Sequence, residues 1–334
     1  MSNATPLDGI DVILADLDGV IYRGAQAVPH AVAALKKAAQ KARLGFVTNN
    51  ASRTPAQVAE QIAAYGLPAL PEAVVTSPQA AIRVLARVVP AGAKVLVVGG
   101  LGLTSEVEKA GFRVVSRADE DPAAVIQGFA PHVGWEHLAQ ASFALQKDEF
   151  MPWIATNTDW TVPLAEGIAP GNGALVSAVH LAVGRLATFA GKPEKEIFDV
   201  ARERFPPQRG ALMIGDRLDT DILGANRAGI ASALVLTGID SAKSLLASDH
   251  SMRPTYVLED LRQLHKPYPT IMRSVDGDGV HTVEVGKAVV RRKDNVVRVA
   301  RLGEPINLVR AGAAIIHDSE LKIFGLDVDP QIYS

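Results

Sequence analysis

The sequence predicts an α/β protein built on a doubly wound parallel sheet. Over the first 76 residues, short apolar runs that end in polar residues alternate with helical segments, which is typical of β-α-β units. The same rhythm resumes after Pro193, and a second α/β unit lies between the two stretches. We therefore predict a core domain interrupted by an inserted α/β domain, with a small α+β extension at the C-terminus.

The first stretch of the core contains three predicted strands, each short and apolar. They cover residues 11–16, 44–47 and 73–76. A helix is expected over 32–42, where alanine and lysine predominate. A second helix is expected from Pro55, with Thr54 as its N-cap and Gly66 as its stop.

The remaining elements follow from the same patterns. In the insertion, strands are expected at 94–98, 124–126 and 153–155, with a helix at 105–110. In the resumed core, a helix follows Pro193 and strands cover 211–214 and 232–236. In the extension, apolar and polar residues alternate over 281–285 and 289–299, which predicts two or three antiparallel strands before a helix at 306–316. The predicted boundaries are 1–77 and 189–268 for the core, 78–188 for the inserted domain and 269–334 for the extension.

Composition excludes several classes of protein. The 334 residues carry a net charge of -2, so bulk positive charge cannot attract nucleic acid or an anionic membrane. No apolar run is long enough for a membrane span. The sequence has no cysteine, which excludes disulfides, thiolate metal sites and a cysteine nucleophile. We expect a cytoplasmic protein with neither nucleic-acid nor membrane partners.

Polar residues stand at the end of predicted strands or the start of predicted helices in four places. These are Asp16-Leu-Asp18-Gly19, Thr48-Asn49-Asn50, Gly191-Lys192-Pro193 and Gly215-Asp216-Arg217-Leu-Asp219-Thr-Asp221. Carboxyl ends of parallel strands meet at one edge of a sheet, so these side chains are expected to lie close together. Converging carboxylates repel one another unless a cation lies between them, and carboxylate oxygens favour Mg²⁺. The set predicts a magnesium-dependent site for a phosphoryl group.

In order and spacing, these segments resemble the four motifs of the haloacid dehalogenase (HAD) superfamily of phosphatases, over roughly residues 10–265. The resemblance implies that Asp16 is the nucleophile and a Mg²⁺ ligand. It implies that Asp18 is the general acid and base, with its backbone carbonyl on the metal. An aspartate at that position favours a true phosphatase over the related ion-pumping ATPases, which carry threonine there.

The resemblance also implies roles for the other three motifs. Thr48 and Asn49 would hold phosphate oxygens, with Asn50 and Arg53 close by. Lys192 would neutralise the charge of the nucleophile and the phosphoryl group. The metal shell would be completed by Asp216, with Asp221 as a second-shell or water-mediated ligand.

The inserted domain resembles the larger type of HAD cap domain, which is itself α/β. This cap and the sequences of motifs two and four resemble the p-nitrophenyl phosphatase-like branch, whose members typically dimerise through the cap. Within that branch, the chain looks most like the actinobacterial glycerol 3-phosphate phosphatases, which also carry a C-terminal extension. This implies a small phosphate ester as substrate, most specifically glycerol 3-phosphate, and a homodimer. Phosphoglycolate, nucleotide and pyridoxal phosphate phosphatases of the same branch are alternatives.

Two further hypotheses concern the cap and the class of protein. The loop from Asn157 to Pro163 is the candidate segment that recognises the leaving group. Members that act on pyridoxal phosphate have a histidine where Val162 aligns, which weakens that alternative. A non-catalytic binding protein on a HAD scaffold is the alternative from a different class, and the intact acidic set opposes it.

Overall fold

A computed structural model describes residues 4–164 and 166–334. Contacts divide the chain into two compact units. The terminal unit comprises the residues up to Arg43 together with Pro207–Ser334, and the central unit is Leu44–Pro206. The four-part division into core, cap and extension stays a prediction.

The secondary structure alternates between strands and helices, as expected for an α/β protein. The strands, in chain order, are β1 (Val12–Ala15), β2 (Tyr22–Arg23), β3 (Gln26–Ala27), β4 (Arg43–Thr48), β5 (Val74–Thr76), β6 (Lys94–Val98), β7 (Arg113–Val115), β8 (Ala124–Gln127), β9 (Trp153–Ala155), β10 (Thr161–Leu164), β11 (Gly167–Pro170), β12 (Thr188–Phe189), β13 (Ala211–Gly215), β14 (Ala231–Val235), β15 (Tyr256–Leu258), β16 (Ile271–Val275), β17 (His281–Val285), β18 (Ala288–Lys293), β19 (Val296–Arg301) and β20 (Asp327–Val328). The helices are α1 (Ala31–Ala38), α2 (Pro55–Ala64), α3 (Ser77–Val88), α4 (Leu101–Lys109), α5 (Trp135–Lys147), α6 (Asn172–Val183), α7 (Lys195–Arg204), α8 (Leu223–Arg227), α9 (Ala242–Ala247) and α10 (Pro305–His317).

The terminal unit contains a parallel sheet in which β1, β13, β14 and β15 are neighbours in that order. Every residue of β1 is buried, which explains why its sequence is an uninterrupted apolar run. Pairing of β1 with β13 extends from Val12 opposite Ala211 to Ala15 opposite Ile214. Asp16 and Asp216 therefore leave the sheet at the same edge.

Asp11 anchors the other end of this strand pair. Its carboxylate accepts hydrogen bonds from the backbone N–H groups of Gln208, Arg209 and Gly210, at 2.9–3.0 Å. These bonds, chiefly those from Gln208 and Gly210, stabilise the ionised form and lower the pKa of Asp11 to about 2. The loop before β13 is thus fixed to the start of β1.

The C-terminal extension forms an antiparallel sheet and a helix within the terminal unit. Strands β16 to β19 pair in sequence order, and β20 joins the edge of β19 in parallel. The alternation over 289–299 belongs to a hairpin of β18 and β19, which turns at Asp294 with a positive φ of 53°. The helix predicted over 306–316 is confirmed as α10.

The extension shares one hydrophobic core with the parallel sheet. Buried apolar side chains of Leu234 and Val257 belong to the same cluster as Val283, Val290 and Ile315. Every residue from Ile306 to Ile316 is buried, including two polar ones. Helix α10 is therefore an internal element of the terminal unit.

The buried polar side chain on α10 that makes most contacts is Arg310. Its guanidinium donates to the carbonyl of Val257 at 2.7 and 2.9 Å, and also to the side chains of Gln263 and Asn307. Its Cζ lies 4.5 Å from the ring centre of Tyr268, a cation–π distance. Burial raises the pKa of the Tyr268 hydroxyl. The Arg310 side chain thus joins α10 to β15, to Gln263 and to Tyr268.

The central unit contains a second parallel sheet in the order β12-β9-β8-β6-β7. Its core joins Leu96, Val125 and Trp153 of the sheet to Leu145 of α5 and Val176 of α6. A β-hairpin of β10 and β11 precedes α6. The same unit holds the parallel pair of β4 and β5, in which Thr48 lies opposite Thr76.

The α/β class and the predicted strands are confirmed, and two helix boundaries were wrong. Helix α1 ends at Ala38, four residues before the expected end, and a tight turn follows it. Helix α4 begins at Leu101 rather than 105, because Gly100 is still extended and serves as its N-cap. In the described part of the chain, no helix combines the length and apolar character needed to cross a membrane.

We predict that Arg310→Met lowers the free energy of unfolding by about 3 kcal/mol, because it leaves a buried carbonyl, the buried Asn307 and the half-buried Gln263 without their donor. Urea denaturation followed by circular dichroism measures this. Arg273→Ala is the matched control. Arg273 forms an ion pair with Asp318 at 2.7 Å, both side chains are exposed, and its loss should cost less than about 1 kcal/mol. Equal losses for the two variants would contradict the internal role of α10.

Candidate active site

Three buried carboxylates converge in the terminal unit. Asp16, Asp216 and Asp221 each place a carboxylate oxygen within 4.8 Å of the others. Their side chains are 8%, 2% and 0% exposed, respectively. Of the residues predicted to surround a metal, these are the ones whose carboxylates the structure brings together.

The strand ends position two of these carboxylates and a helical turn positions the third. The N–H of Asp16 donates to the carbonyl of Ile214 at 2.8 Å, which extends the pairing of β1 with β13. Asp216 follows β13 directly, and its Oδ2 accepts the N–H of Ile239 at 2.7 Å. Asp221 lies in a π-helical turn over Leu218–Ile222, and its Oδ2 accepts the N–H of Arg217 at 3.1 Å. The backbone thus fixes the orientation of both later carboxylates.

Glycines provide the space for these carboxylates. A Cβ built on Gly238 would lie 1.9 Å from Oδ2 of Asp216, and one on Gly19 would lie 2.3 Å from the same atom. A Cβ on Gly215 would lie 2.2 Å from the Cβ of Asp221. Gly19 also has a φ of +76°, which favours glycine on its own. No other residue type fits at these positions with the carboxylates in place.

The donor set fits a hard divalent cation. Buried carboxylates at this separation repel one another strongly in an environment of low dielectric, so a positive charge between them stabilises the arrangement. Oxygen ligands alone, with neither imidazole nor thiolate in the cluster, match Mg²⁺ rather than Zn²⁺. Asp16 and Asp216 would hold the ion, with Asp221 beside them.

Asp18 differs from the three clustered carboxylates in its exposure. Its side chain is exposed, whereas Leu17 before it is completely buried. The segment turns here, since the N–H groups of Ile21 and Tyr22 both donate to the carbonyl of Leu17. An exposed carboxyl two residues after the buried Asp16 suits the predicted proton-transfer role better than a role as a side-chain metal ligand.

In the central unit, β4 ends at the predicted phosphate-binding residues. Thr48 is 3% exposed, and its Oγ1 accepts the N–H of Asn50 at 3.1 Å. Because the oxygen accepts this bond, the hydroxyl hydrogen of Thr48 points elsewhere and can donate to an anion. This geometry agrees with the predicted contact to a phosphate oxygen.

The side chain of Asn49 is engaged by protein groups. Its Oδ1 accepts the N–H of Lys192 at 2.8 Å, and its Nδ2 donates to the carbonyl of Lys192 and to Oδ1 of Asp159, both at 3.0 Å. Both amide hydrogens are therefore used. Any contact of Asn49 with phosphate falls to its backbone N–H.

Asn50 and Arg53 shape the loop between β4 and α2. Oδ1 of Asn50 accepts the N–H groups of Ser52 and Arg53, at 3.2 and 3.0 Å, which is an Asx turn. The guanidinium of Arg53 donates to Oε1 of Gln61 in α2. Thr54 is the N-cap of α2, as the sequence predicted, and it forms a capping box with Gln57.

Lys192 is buried at the end of a glycine-dependent turn. It is 3% exposed, and its Nζ donates to the carbonyl of Val47 at 3.1 Å. The preceding Gly191 donates its N–H to the carbonyl of Thr156, and a Cβ at that position would lie 2.3 Å from the same oxygen. The peptide bond to Pro193 is cis. Lys192 is thus fixed to Asn49 through its backbone and to β4 through its ammonium group.

The structure therefore assembles the predicted residues in two sets, one in each unit. Asp16, Asp216 and Asp221 form the acidic set, and Thr48, Asn49 and Lys192 form the second set. Two further residues support the site without having been predicted: Gly238, and Ser77, whose hydroxyl donates to the carbonyl of Asn49 at 2.7 Å. Gly238 comes shortly after an apolar strand, and this position in the sequence could have marked it as a site residue. Nothing local in the sequence marks Ser77.

We predict that Gly238→Ala weakens Mg²⁺ binding by at least about tenfold, because the new methyl group must displace the carboxylate of Asp216. Isothermal titration calorimetry with MgCl₂ measures the affinity, and circular dichroism verifies the fold. Gly277→Ala is the control, since its Cβ would meet open space. Unchanged affinity in Gly238→Ala would contradict the assignment of Asp216 as a ligand.

Comparison with known proteins identifies the family. A family model described as haloacid dehalogenase-like hydrolase matches residues 13–113, and a second, HAD-hydrolase-like model matches residues 189–264. The chain is 39% identical to the D-glycerol 3-phosphate phosphatase of Mycobacterium tuberculosis, an alignment that covers 94% of this chain and 90% of that protein. It is 38% identical to the glycerol-3-phosphate phosphatase of Gallus gallus, over 74% of this chain and 86% of that protein.

Solved structures agree with these sequence relatives. A crystal structure of the glycerol phosphate phosphatase from Mycobacterium tuberculosis in complex with magnesium matches with a TM-score of 0.84 and 36% identity, covering 98% of this chain and 94% of that one. The 4-nitrophenylphosphatase from Thermotoga maritima matches with a TM-score of 0.71 and 29% identity, over 78% of this chain and 98% of that one. The chain is therefore an enzyme of the haloacid dehalogenase-like hydrolase family.

Proposed function

We propose that this enzyme is a Mg²⁺-dependent phosphatase that hydrolyses glycerol 3-phosphate to glycerol and phosphate. The observation that carries the reaction class is the convergence of Asp16, Asp216 and Asp221, which requires a cation and provides a nucleophile beside it. Support for the substrate comes from likeness to the Mycobacterium tuberculosis enzyme, which extends over 94% of this chain. The predicted acidic residues are all present, which opposes a non-catalytic binding protein.

In the first half of the proposed reaction, a carboxylate oxygen of Asp16 attacks phosphorus, and the bond from phosphorus to the glycerol oxygen breaks. Asp18 donates a proton to the leaving oxygen, so glycerol departs as the alcohol. In the second half, Asp18 takes a proton from water, whose oxygen attacks the phosphorus of the aspartyl-phosphate. Inorganic phosphate is released, and the carboxylate of Asp16 is restored. When bound, Mg²⁺ supplies positive charge that offsets the negative charge of the carboxylates and the phosphoryl group.

The second set of residues would bind the phosphoryl oxygens. The hydroxyl of Thr48 and the backbone N–H of Asn49 would each donate a hydrogen bond, and the ammonium group of Lys192 would add positive charge. Asn50 would keep the loop in the conformation that presents these donors, through the Asx turn that it forms. Arg53 would lie close by, at the start of α2.

The test is phosphate release with MgCl₂ from glycerol 3-phosphate in both enantiomers, phosphoglycolate, pyridoxal phosphate, nucleoside monophosphates and p-nitrophenyl phosphate. We expect kcat/KM for one glycerol 3-phosphate enantiomer to exceed the others by at least about tenfold, because the cap should fit one leaving group. Asp16→Asn is the control and should abolish release from every ester, since the nucleophile is lost. Preference for phosphoglycolate, pyridoxal phosphate or a nucleotide would retain the mechanism and reject the substrate. Release unaffected by Asp16→Asn would reject the mechanism.

We also propose that the enzyme is a homodimer through the cap. Large apolar side chains are exposed on the α5 and α6 helices and just after each of them, namely Phe143, Phe150, Leu181 and Leu186, at 50–83% exposure. The two helix ends are adjacent, since Gln146 donates to the carbonyl of Ala182, and Arg185 to that of Met151. Several large apolar side chains exposed near adjacent helix ends are typical of an interaction surface.

We predict that Leu181→Asp converts the dimer to a monomer, because a charge in the apolar patch opposes its burial. Size-exclusion chromatography with light scattering gives the mass of each variant. Phe324→Asp is the matched control, since Phe324 is 88% exposed in the C-terminal extension. A monomeric wild type would refute the dimer, and a dimeric Leu181→Asp would refute this interface.

Finally, we propose that the enzyme acts in the cytoplasm. Support comes from the complete absence of cysteine, which leaves the fold independent of an oxidising compartment. Activity found in a membrane or secreted fraction rather than the cytoplasmic one would reject this.

A further inference from the structure

Asn49 accepts one hydrogen bond from the loop that was predicted to recognise the leaving group and donates another to it. The backbone carbonyl of Asn49 accepts Nδ2 of Asn157 at 2.8 Å, in addition to the hydroxyl of Ser77 at 2.7 Å. Oδ1 of Asp159 accepts Nδ2 of Asn49 at 3.0 Å. Two residues of the loop therefore contact Asn49, one at its main chain and one at its side chain.

The loop that carries these contacts is itself tightly fixed. Asn157 is 3% exposed, its Oδ1 accepts the N–H of Asp159, and its carbonyl accepts Nδ2 of Asn172 at 2.9 Å. The carbonyl of Asp159 accepts the N–H of Gly173, where a Cβ would lie only 2.6 Å from the carbonyl oxygen of Thr158. Hydrogen bonds in such a buried network reinforce one another and hold one conformation.

The consequence is that the peptide group after Asn49 has a fixed orientation. A carbonyl that accepts two buried donors cannot rotate without leaving both of them unpaired. The N–H on the other side of the same peptide belongs to Asn50, and it is the group that orients the hydroxyl of Thr48. The side chain of Asn157 is thus linked through one peptide plane to the Thr48 hydroxyl.

We propose that Asn157 is a positioning residue for phosphate binding, acting through the carbonyl of Asn49, and that it does not recognise the leaving group. This inference rests on the proposed function, in which Thr48 and Asn49 hold the phosphoryl oxygens. Recognition of the leaving group then falls to residues of the loop beyond Asp159.

The test uses Asn157→Asp, which keeps the oxygen that accepts the N–H of Asp159 but loses the amide donor to Asn49. A positioning residue affects the phosphoryl group that all substrates share. We therefore expect kcat/KM to fall by about tenfold or more, by the same factor for glycerol 3-phosphate, phosphoglycolate and p-nitrophenyl phosphate. The dissociation constant of inorganic phosphate, measured by calorimetry with MgCl₂, should rise in parallel. A purely structural defect would lower the melting temperature and leave the phosphate affinity of the folded fraction unchanged.

Two variants complete the experiment. Ser77→Ala removes the other donor to the same carbonyl and should also weaken phosphate binding, which keeps the proposal testable if Asn157→Asp does not fold. Asp148→Ala is the matched control, because Asp148 likewise accepts a local backbone N–H within the cap, that of Phe150 at 2.9 Å. Its kcat/KM and phosphate affinity should match the wild type.

Selective loss for one ester, by more than about threefold relative to the others, would show that Asn157 recognises the leaving group and would overturn the proposal. Unchanged phosphate affinity in both Asn157→Asp and Ser77→Ala would also overturn it. Phosphate binding can be measured without turnover, so a wrong substrate can be distinguished from a wrong role for Asn157. If only the proposed substrate is wrong, the wild type binds inorganic phosphate but releases none from glycerol 3-phosphate.

Discussion

The mutual repulsion of three buried carboxylates is the constraint on which the terminal unit depends. Asp16, Asp216 and Asp221 lie within a few ångströms of one another and are shielded from water. Such an arrangement persists only if the backbone holds the groups in place and a cation offsets their charge. The pairing of β1 with β13 supplies the first condition, and the all-oxygen donor set selects the kind of cation that supplies the second.

The glycines around this cluster show how closely the backbone approaches the charges. Gly238 and Gly19 leave room for the carboxylate of Asp216, and Gly215 leaves room for Asp221. Gly215 ends β13, Gly238 comes three residues after β14, and Gly19 lies in the turn that follows β1, so each glycine adjoins a buried strand that holds it in place. A reactive site of this kind is built from close packing of backbone against side chain as much as from the reactive groups.

In the central unit, hydrogen bonds from several segments converge on Asn49. Its side chain bridges the backbone of Lys192 and the carboxylate of Asp159, and its backbone carbonyl accepts hydrogen bonds from Ser77 and Asn157. One buried residue thus contacts Lys192, Ser77 at the start of α3, and the loop that follows β9. The C-terminal extension contributes differently, because α10 lies inside the hydrophobic core of the terminal unit and Arg310 joins it to Val257. The extension is therefore part of the fold on which the acidic set is built.

The sequence by itself determined the strands that we predicted and the helix cap at Thr54, and it predicted the candidate site residues. These depend on short-range patterns: an apolar run of strand length, a capping residue followed by proline, and a polar residue where a buried strand ends. Only the tertiary structure decided what Asn49 does and that Ser77 and Asn157 bind it, because these partners are far apart in the chain. Asn49 and Lys192 are separated by 143 residues, and Asn49 and Asn157 by 108. No local pattern records such a pairing; it exists only when the packing of strands brings the groups together, since a buried amide must then satisfy each of its donors and acceptors.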